Sequence, residues 1–275
     1  MKPQSEHPLF AEERKGQILE LLRQKSKLLV PELCDYFDVS PATIRNDLRD
    51  LENERKLKRT HGGAISLEKT SFELDSRHKE IRNMEQKRQI AACAAKLIED
   101  GDTIILDTGT TTLELAKCLS GKRDLTIVLN DIEIASLLEE STQANLILIG
   151  GTLRHGFHCT VGPMAVSYLS ELNVDKVFLS SNAVSLDRGF TTPDFNQAEV
   201  KKTMIQVASE VIMLSDSSKF GKLSFTQFAA LSDIDKLITD KGIDPQAAEQ
   251  LRQLESFDLV IAQTYQKALS GRTAG

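Results

Sequence analysis

The sequence predicts an α/β chain in two parts: an N-terminal winged helix-turn-helix, then a larger α/β domain built on a mostly parallel sheet. Three observations carry that expectation. Residues 30–65, VPELCDYFDVSPATIRNDLRDLENERKLKRTHGGAI, read as two short capped helices followed by a basic, glycine-turned hairpin. From residue 87 onward short apolar runs alternate with amphipathic stretches, the pattern of a parallel sheet covered on both faces. Those runs end in hydroxyls, glycines and carboxylates, at the strand ends where open α/β sheets hold ligands.

In the first part, Pro31 suits the first turn of a helix, where its missing N–H has no partner to lose. Leu33, Tyr36 and Phe37 give that helix an apolar stripe, and Asp38-Val39 ends it. Ser40 then caps a second helix that opens with Pro41. Ile44, Leu48 and Leu51 fall at i, i+4 and i+7 and form its buried edge. The opposite face gathers Ala42, Asn46, Arg49 and Asn53, with Arg45 four residues before Arg49 and with Asp47 and Asp50 on the other flank. Arginine and asparagine suit bidentate reading of guanine and adenine edges, and Thr43 is placed for a phosphate or a thymine methyl. The run from Arg55 to Gly63 contains no acid, and its cations suit phosphate contacts. A solvated amphipathic helix would account for an arginine pair alone; it does not account for the ordered succession of helix, capped helix and basic hairpin. The expected partner is double-stranded DNA, contacted through Ser40, Ala42, Thr43, Arg45, Asn46, Arg49, Lys58, Arg59, His61 and Gly62.

The net charge of −6 excludes a nonspecific nucleic-acid coat. The charge is uneven: residues 1–65 sum to +1 and the remainder to −7. An acidic body suppresses electrostatic nonspecific binding, which suits a protein that must find one site. No apolar run approaches the ~20 residues of a membrane helix, and the start, MKPQSEHPLF, has no secretory character. Cys34, Cys93, Cys118 and Cys159 are scattered without a CxxC pair, so they read as reduced thiols of the cytoplasm rather than a zinc or disulfide framework. His155 and His158 lack ligand partners in a metal motif, and neither metal nor cofactor is expected.

Domain limits are expected at 1–65 for the DNA-binding part, 66–86 for a charged linker, 87–265 for the larger domain and 266–275 for a disordered tail. Within 87–265 the strand-like runs are 103–106, 125–129, 146–149, 176–179, 211–214, 236–238 and 259–261. Helical stretches fall at 112–119, 132–138, 197–208 and 245–254. The segment Thr108-Gly109-Thr110-Thr111-Thr112 follows a strand and opens a helix, so its amides and hydroxyls converge where an anion, phosphate above all, is favoured. A threonine-capped helix start is the plainer reading of the same residues. Lys219, three residues after Asp216, is placed to neutralise a phosphate, unless it is a solvated loop lysine.

These residues resemble a known family. Arg14, Ile18 and Leu22, then Val39–Leu48 and Arg59–Ala64, resemble the N-terminal domain of DeoR-type transcriptional regulators. Leu106–Thr112, Gly150-Gly151-Thr152-Leu153-Arg154, Gly189–Thr192 and Asp216–Gly221 resemble its sensor domain, in the family's order and over nearly the whole chain. The resemblance implies a bacterial repressor of sugar-catabolic genes, nucleoid-associated when bound to its operator. It also implies a sensor akin in fold to ribose-5-phosphate isomerase and an effector that is a phosphorylated sugar or sugar alcohol. By that analogy Asp107, Thr108, Gly109, Thr110, Thr111 and Thr112 hold phosphate, and Asp216 and Lys219 face the ligand. Asn130, Gly150, Gly151, Asn182 and Glu199 join them from neighbouring rim loops. Ser180-Ser181-Asn182 departs from the glycine that many members carry after the fourth strand, so effector identity is not transferable from a relative. A homodimer or homotetramer is expected, with 10–23 and 66–88 as contact segments. The competing reading is a sugar-phosphate isomerase with an accessory DNA domain, for which Asp107, Asp216 or Glu199 would have to act as base. The sequence does not set the sign of regulation.

Overall fold

The computed structural model describes residues 10–25, 27–54, 56–60, 62–66, 73 and 76–263. The chain divides into two units, Met1–Phe72 and Glu73–Gly275. The boundary lies inside the expected linker: Glu73 and the helices that follow it fold with the second unit. The tail expected at 266–275 lies outside the described residues.

The first unit runs α1 (Ala11–Lys25), β1 (Lys27–Leu29), α2 (Val30–Phe37), α3 (Pro41–Asn53), β2 (Leu57–Thr60) and β3 (Gly63–Ser66). Its strands form an antiparallel sheet in the order β1-β3-β2. Both prolines sit in the first turn of their helices, and Asp38 closes α2 in the left-handed region at φ 54°. Ile18, Leu22, Leu33, Ile44, Leu48, Leu51 and Leu57 make one buried core, each contributing roughly 1.5–3 kcal/mol by leaving water. Gly63 is required by close approach: a Cβ there would lie 1.8 Å from the Leu28 carbonyl oxygen. Asp47, on the flank away from Arg45 and Arg49, is buried, and the Arg14 guanidinium of α1 grips it in a fork (Nε–Oδ2 2.5 Å, Nη2–Oδ1 3.1 Å). That pair ties α3 to α1.

The second unit begins with α4 (Ser76–Glu80) and α5 (Met84–Ala94) and continues β4 (Thr103–Leu106), α6 (Thr110–Ala116), β5 (Thr126–Leu129), α7 (Ile132–Ser141) and β6 (Asn145–Leu148). A hairpin of β7 (Thr152–Arg154) and β8 (Cys159–Val161) leads to α8 (Pro163–Leu169) and β9 (Val174–Ser180). Then come β10 (Ala183–Ser185), β11 (Gly189–Thr192), α9 (Phe195–Gln206), β12 (Ala208–Leu214), β13 (Thr226–Ala229), β14 (Lys236–Asp240), α10 (Pro245–Arg252) and β15 (Asp258–Ala262). Seven parallel strands stand in the order β15-β14-β12-β9-β4-β5-β6. They coincide with the seven apolar runs read from the sequence. Successive side chains of a strand point to opposite faces. Ile104, Leu106, Phe178, Ile212 and Leu214 accordingly enter one core, while Ile105, Val177, Leu179 and Met213 enter the other. Both faces are covered, which is why these strands are continuously apolar.

The chain starts at β4, winds outward to β5 and β6, then returns to β9 on the other side of β4 and continues to β12, β14 and β15. Strand order therefore reverses between β4 and β9. In open α/β sheets such a switch point opens a crevice at the carboxyl ends of the strands, where ligands bind. The sequence reading missed the hairpin β7-β8, helix α8 and the small antiparallel sheet β10-β11-β13, all of which lie around that end.

Candidate functional site

On α3, Ser40 caps the helix by accepting from the Thr43 amide (3.2 Å), and the two hydroxyls lie 2.9 Å apart. Ile44, Leu48 and Leu51 face the core, leaving Ala42, Arg45, Asn46, Arg49 and Asn53 exposed. Arg49 donates to the Asn46 side-chain carbonyl at 2.5 Å, so the two candidate base readers restrain each other. On the hairpin Lys58 and Arg59 are exposed, as is Gly62 beside them. The Arg59 amide donates to Glu52 of α3 (2.8 Å), which fixes the hairpin against the helix. A cleft of about 450 Å³ opens between α2, α3 and the hairpin, and it brings Arg45 and Arg59 to one depression. His61 lies outside the described residues.

At the switch point of the second unit, Asp107 leaves the end of β4 fully buried and is ion-paired with Lys201 of α9, itself fully buried. The Ser180 amide donates to the same Asp107 oxygen (3.0 Å), and the Ser180 hydroxyl lies between that oxygen and the Thr108 carbonyl (3.3 and 3.0 Å). Lys201 also donates to the Ser180 carbonyl (2.9 Å). The other Asp107 oxygen has no hydrogen-bond partner. Gly109 turns the loop at φ 147°, and a Cβ there would lie 2.6 Å from Ser180 Oγ. Serine at 180 thus takes the space that the loop glycine leaves open.

The threonines of this loop are largely committed to the fold. Thr108 donates to Asp131 (2.6 Å) and Thr112 to the Gly109 carbonyl (2.8 Å); Thr111 is buried and Thr110 half-exposed. Asp131 also caps α7, and burial lifts its carboxyl above the ordinary range although Thr108 and the Ile134 and Glu133 amides oppose the shift. Because α6 has only seven residues, anion attraction here must come mainly from side-chain cations.

The cations at this rim come from several elements: Lys79 from the segment expected to be a linker, Lys87 from α5, Arg154 from β7 and Lys201 from α9. Glu73 accepts from Lys79, from Arg154 of β7 (3.0 Å) and from Asn182 after β9 (2.9 Å). The Arg154 guanidinium lies 4.0 Å from the Phe157 ring centroid, with Lys79 5.4 Å from the same ring, two cation–π contacts that steady the charges. Arg154 also donates to Gln197 (3.2 Å), and Thr192 bridges Gln197 and Asn182 (3.0 Å each). Asn83 donates to Asp216 and to the Ser218 hydroxyl, both at 3.0 Å. Lys87 donates to the Lys79 carbonyl. Burial pushes the Lys87 ammonium down to about 8; Lys219 and Lys79 repel it further, while Asp216 opposes the shift. Burial also lowers Lys79 against the pull of Glu73, with Lys219 and Lys201 adding repulsion. Burial would raise Glu73, but Lys79, Arg154 and Asn182 outweigh it and hold the carboxyl below its usual range. The two lysine shifts come mainly from burial, and the Glu73 shift from the cations and the amide around it.

Of the residues singled out in the sequence, Asp107 to Thr112, Asn182, Asp216 and Lys219 meet at this rim. Asn130 is buried beside it, its amide donating to the Thr160 carbonyl (2.8 Å) and its own oxygen without a hydrogen-bond partner. Gly150 and Gly151 shape the turn into β7; a Cβ on Gly151 (φ 152°) would lie 2.7 Å from the Val161 carbonyl oxygen. Their contribution is to deliver Arg154. Glu199 stands apart, half-exposed on α9 and paired with Lys202 at 2.8 Å. Lys219 is 4.0 Å from Asp216 Oδ2. The residues missed were Glu73, Lys79, Asn83, Lys87, Arg154 and Lys201; Arg154 stood in a quoted motif without a role of its own. Lys79, Asn83 and Lys87 recur every four residues, but Asn83 breaks that period in the left-handed region (φ 52°) between α4 and α5; Lys201 carried no signal beyond its place in a helix. Among the described residues no His/Cys/Asp/Glu group is arranged to hold a metal, and no helix is long and apolar enough to cross a membrane. Burial raises the Cys159 thiol to about 11, so it packs as a neutral group.

Two family models match: the DeoR-like helix-turn-helix domain over residues 14–70 and the DeoR C terminal sensor domain over residues 82–241. The HTH-type transcriptional regulator GlpR of Haloferax volcanii is 38% identical over 87% of this chain and 93% of its own length. The transcriptional repressor AccR of Agrobacterium fabrum is 36% identical over 84% and 90%. The HTH-type transcriptional repressor GlcR of Bacillus subtilis is 35% identical over 93% and 98%. Among solved structures, ribose 5-phosphate isomerase A from Methanocaldococcus jannaschii covers 50% of this chain and 55% of its own at 21% identity and a TM-score of 0.38, a likeness too loose to bear on function. With both halves matched in order and the relatives aligned almost end to end, the chain belongs to the DeoR family and is a DNA-binding transcriptional regulator, not an enzyme.

Proposed function

We propose that this regulator represses carbohydrate-catabolic genes from the cytoplasm and is released by a phosphorylated sugar or sugar alcohol bound at the switch-point rim. The observation that carries the reading is the convergence of Lys79, Lys87, Arg154, Lys201 and Lys219 on one crevice, with Lys87 held at about 8 by burial and by its cationic neighbours. An arriving phosphate relieves that repulsion. Around it stand buried acceptors without a hydrogen-bond partner, Asp107 Oδ1, Asn130 Oδ1 and Asp216 Oδ2, which suit the hydroxyls of a polyol because an unmet buried acceptor costs roughly 1–3 kcal/mol.

At the other end, α3 reads the operator through Thr43, Arg45, Asn46 and Arg49, with Lys58 and Arg59 on the backbone phosphates. Two or four copies of the chain carry paired recognition helices to a two-fold site. A thermal-shift panel of sugar phosphates and their unphosphorylated parents tests the reading. A ligand specific to the folded state adds about 2.7 kcal/mol at a hundredfold excess over its dissociation constant. The expected result is a shift with one phosphorylated compound and none with its parent; equal shifts with both would remove the phosphate from the account.

A further inference from the structure

Glu73 is a carboxylate set among the cations of the switch-point rim. Its side chain is 4% exposed, and its two oxygens take up the Lys79 ammonium, one arm of the Arg154 fork and the Asn182 amide. These are the donors that would otherwise meet an incoming phosphate. Glu73 itself belongs to neither a helix nor a strand, so it can leave without unwinding one. It is also the first residue of the second unit, and the chain between Ser66 and Glu73 is the covalent connection to the DNA-binding unit.

We propose that Glu73 is a resident anion: its carboxylate occupies the place of the effector's anionic group, and the effector binds by displacing it from Arg154, Lys79 and Asn182. The proposal rests on the reading of the rim as an anion site and adds how that site is coupled to DNA. A buried ion pair gains little net free energy, because desolvation of both charges nearly cancels their attraction. Exchange of one anion for another in the same cradle is therefore inexpensive, and a phosphate brings more acceptor oxygens than a carboxylate. With the site filled, Glu73 is expelled and the anchor of the interunit chain is lost. With the site empty, Glu73 returns and the anchor is restored. The ligand thus acts through its difference in affinity for two states of the chain.

Removal of the internal competitor must tighten anion binding. If the carboxylate fills the site nine-tenths of the time, the apparent affinity is reduced about tenfold. Calorimetric titration of the full chain with inorganic phosphate, wild type against Glu73→Gln, reads this directly: the glutamine keeps the shape and loses the charge. Binding about tenfold tighter in E73Q is the expected outcome. Equal or weaker binding in E73Q overturns the displacement and leaves the anion site standing, with Glu73 an ordinary part of it. No binding by either protein overturns both. Hydrogen exchange on the wild-type chain provides a second readout that does not depend on the variant folding. Phosphate should protect the amides of 108–112 while speeding exchange at 76–80; protection of both segments contradicts the displacement.

Discussion

The recognition face and the sensor rim both offer cations to an anion, yet they are built in opposite ways. Arg45 and Arg49 stand in water on one turn-spaced face of a single helix, and Arg49 donates to its neighbour Asn46. Lys201 and Arg154 are withdrawn from water and held by carboxylates from remote parts of the chain, and Lys79 by Glu73 six residues before it. An exposed cation retains its hydration, is screened by salt, and contributes to binding mainly when a phosphate or base arrives. A withdrawn cation has lost hydration on folding and must be compensated inside the protein. The first kind of site can be altered with little effect on the fold. The second is part of the fold, so the proposed ligand, by changing its pairing, would alter the fold as well.

The largest effect expected from this contrast is on stability. Lys201→Met leaves Asp107 buried without its cation and should cost the second unit about 3–5 kcal/mol, read as a lower urea midpoint at unchanged slope. A loss below about 1 kcal/mol would mean that the pair behaves like a surface one, and the contrast would fail. Arg49→Ala should leave the urea midpoint in place and cost roughly 1–3 kcal/mol of operator affinity, measured by anisotropy on operator and on random duplex. Equal losses on the two would make it a phosphate contact rather than a base reader.

The smallest effect is a pH dependence. Lys87 titrates at about 8 in the folded chain, against 10.5 as its ordinary value. Between those values the unfolded chain binds the additional proton, so the wild type gains stability as pH rises through that window; below about 8 the charged, buried ammonium is a constant cost. Relative to Lys87→Met, the wild type should therefore improve by about 1 kcal/mol between pH 7 and 9. Parallel stability profiles for the two proteins would place Lys87 in water.

The same contrast explains what was legible in the sequence. The face of α3 follows from the 3.6-residue period, since Ile44, Leu48 and Leu51 fix which side is buried and so which arginines are presented. The seven parallel strands were legible because burial on both faces leaves them uninterrupted apolar runs. The burial of Asp47 was not legible because its period position is an edge, and Arg14, 33 residues away, makes it interior. Glu73 to Asn83 read as a charged linker because charge without apolar periodicity signals solvent. Their partners, Arg154, Asn182 and Asp216, lie 81, 109 and 133 residues further along the chain. The small sheet β10-β11-β13 escaped for a related reason, since its strands are three or four residues long and pair across the whole of α9 and β12.

The measurement that tests the central claim most directly is the affinity of the full chain for operator DNA with and without the phosphorylated compound that shifts its melting. The account predicts that saturating ligand weakens operator binding by about 5–150-fold, the usual range of coupling between two sites, and that the unphosphorylated parent leaves it unchanged. Operator affinity that is indifferent to a ligand bound at the rim would contradict it.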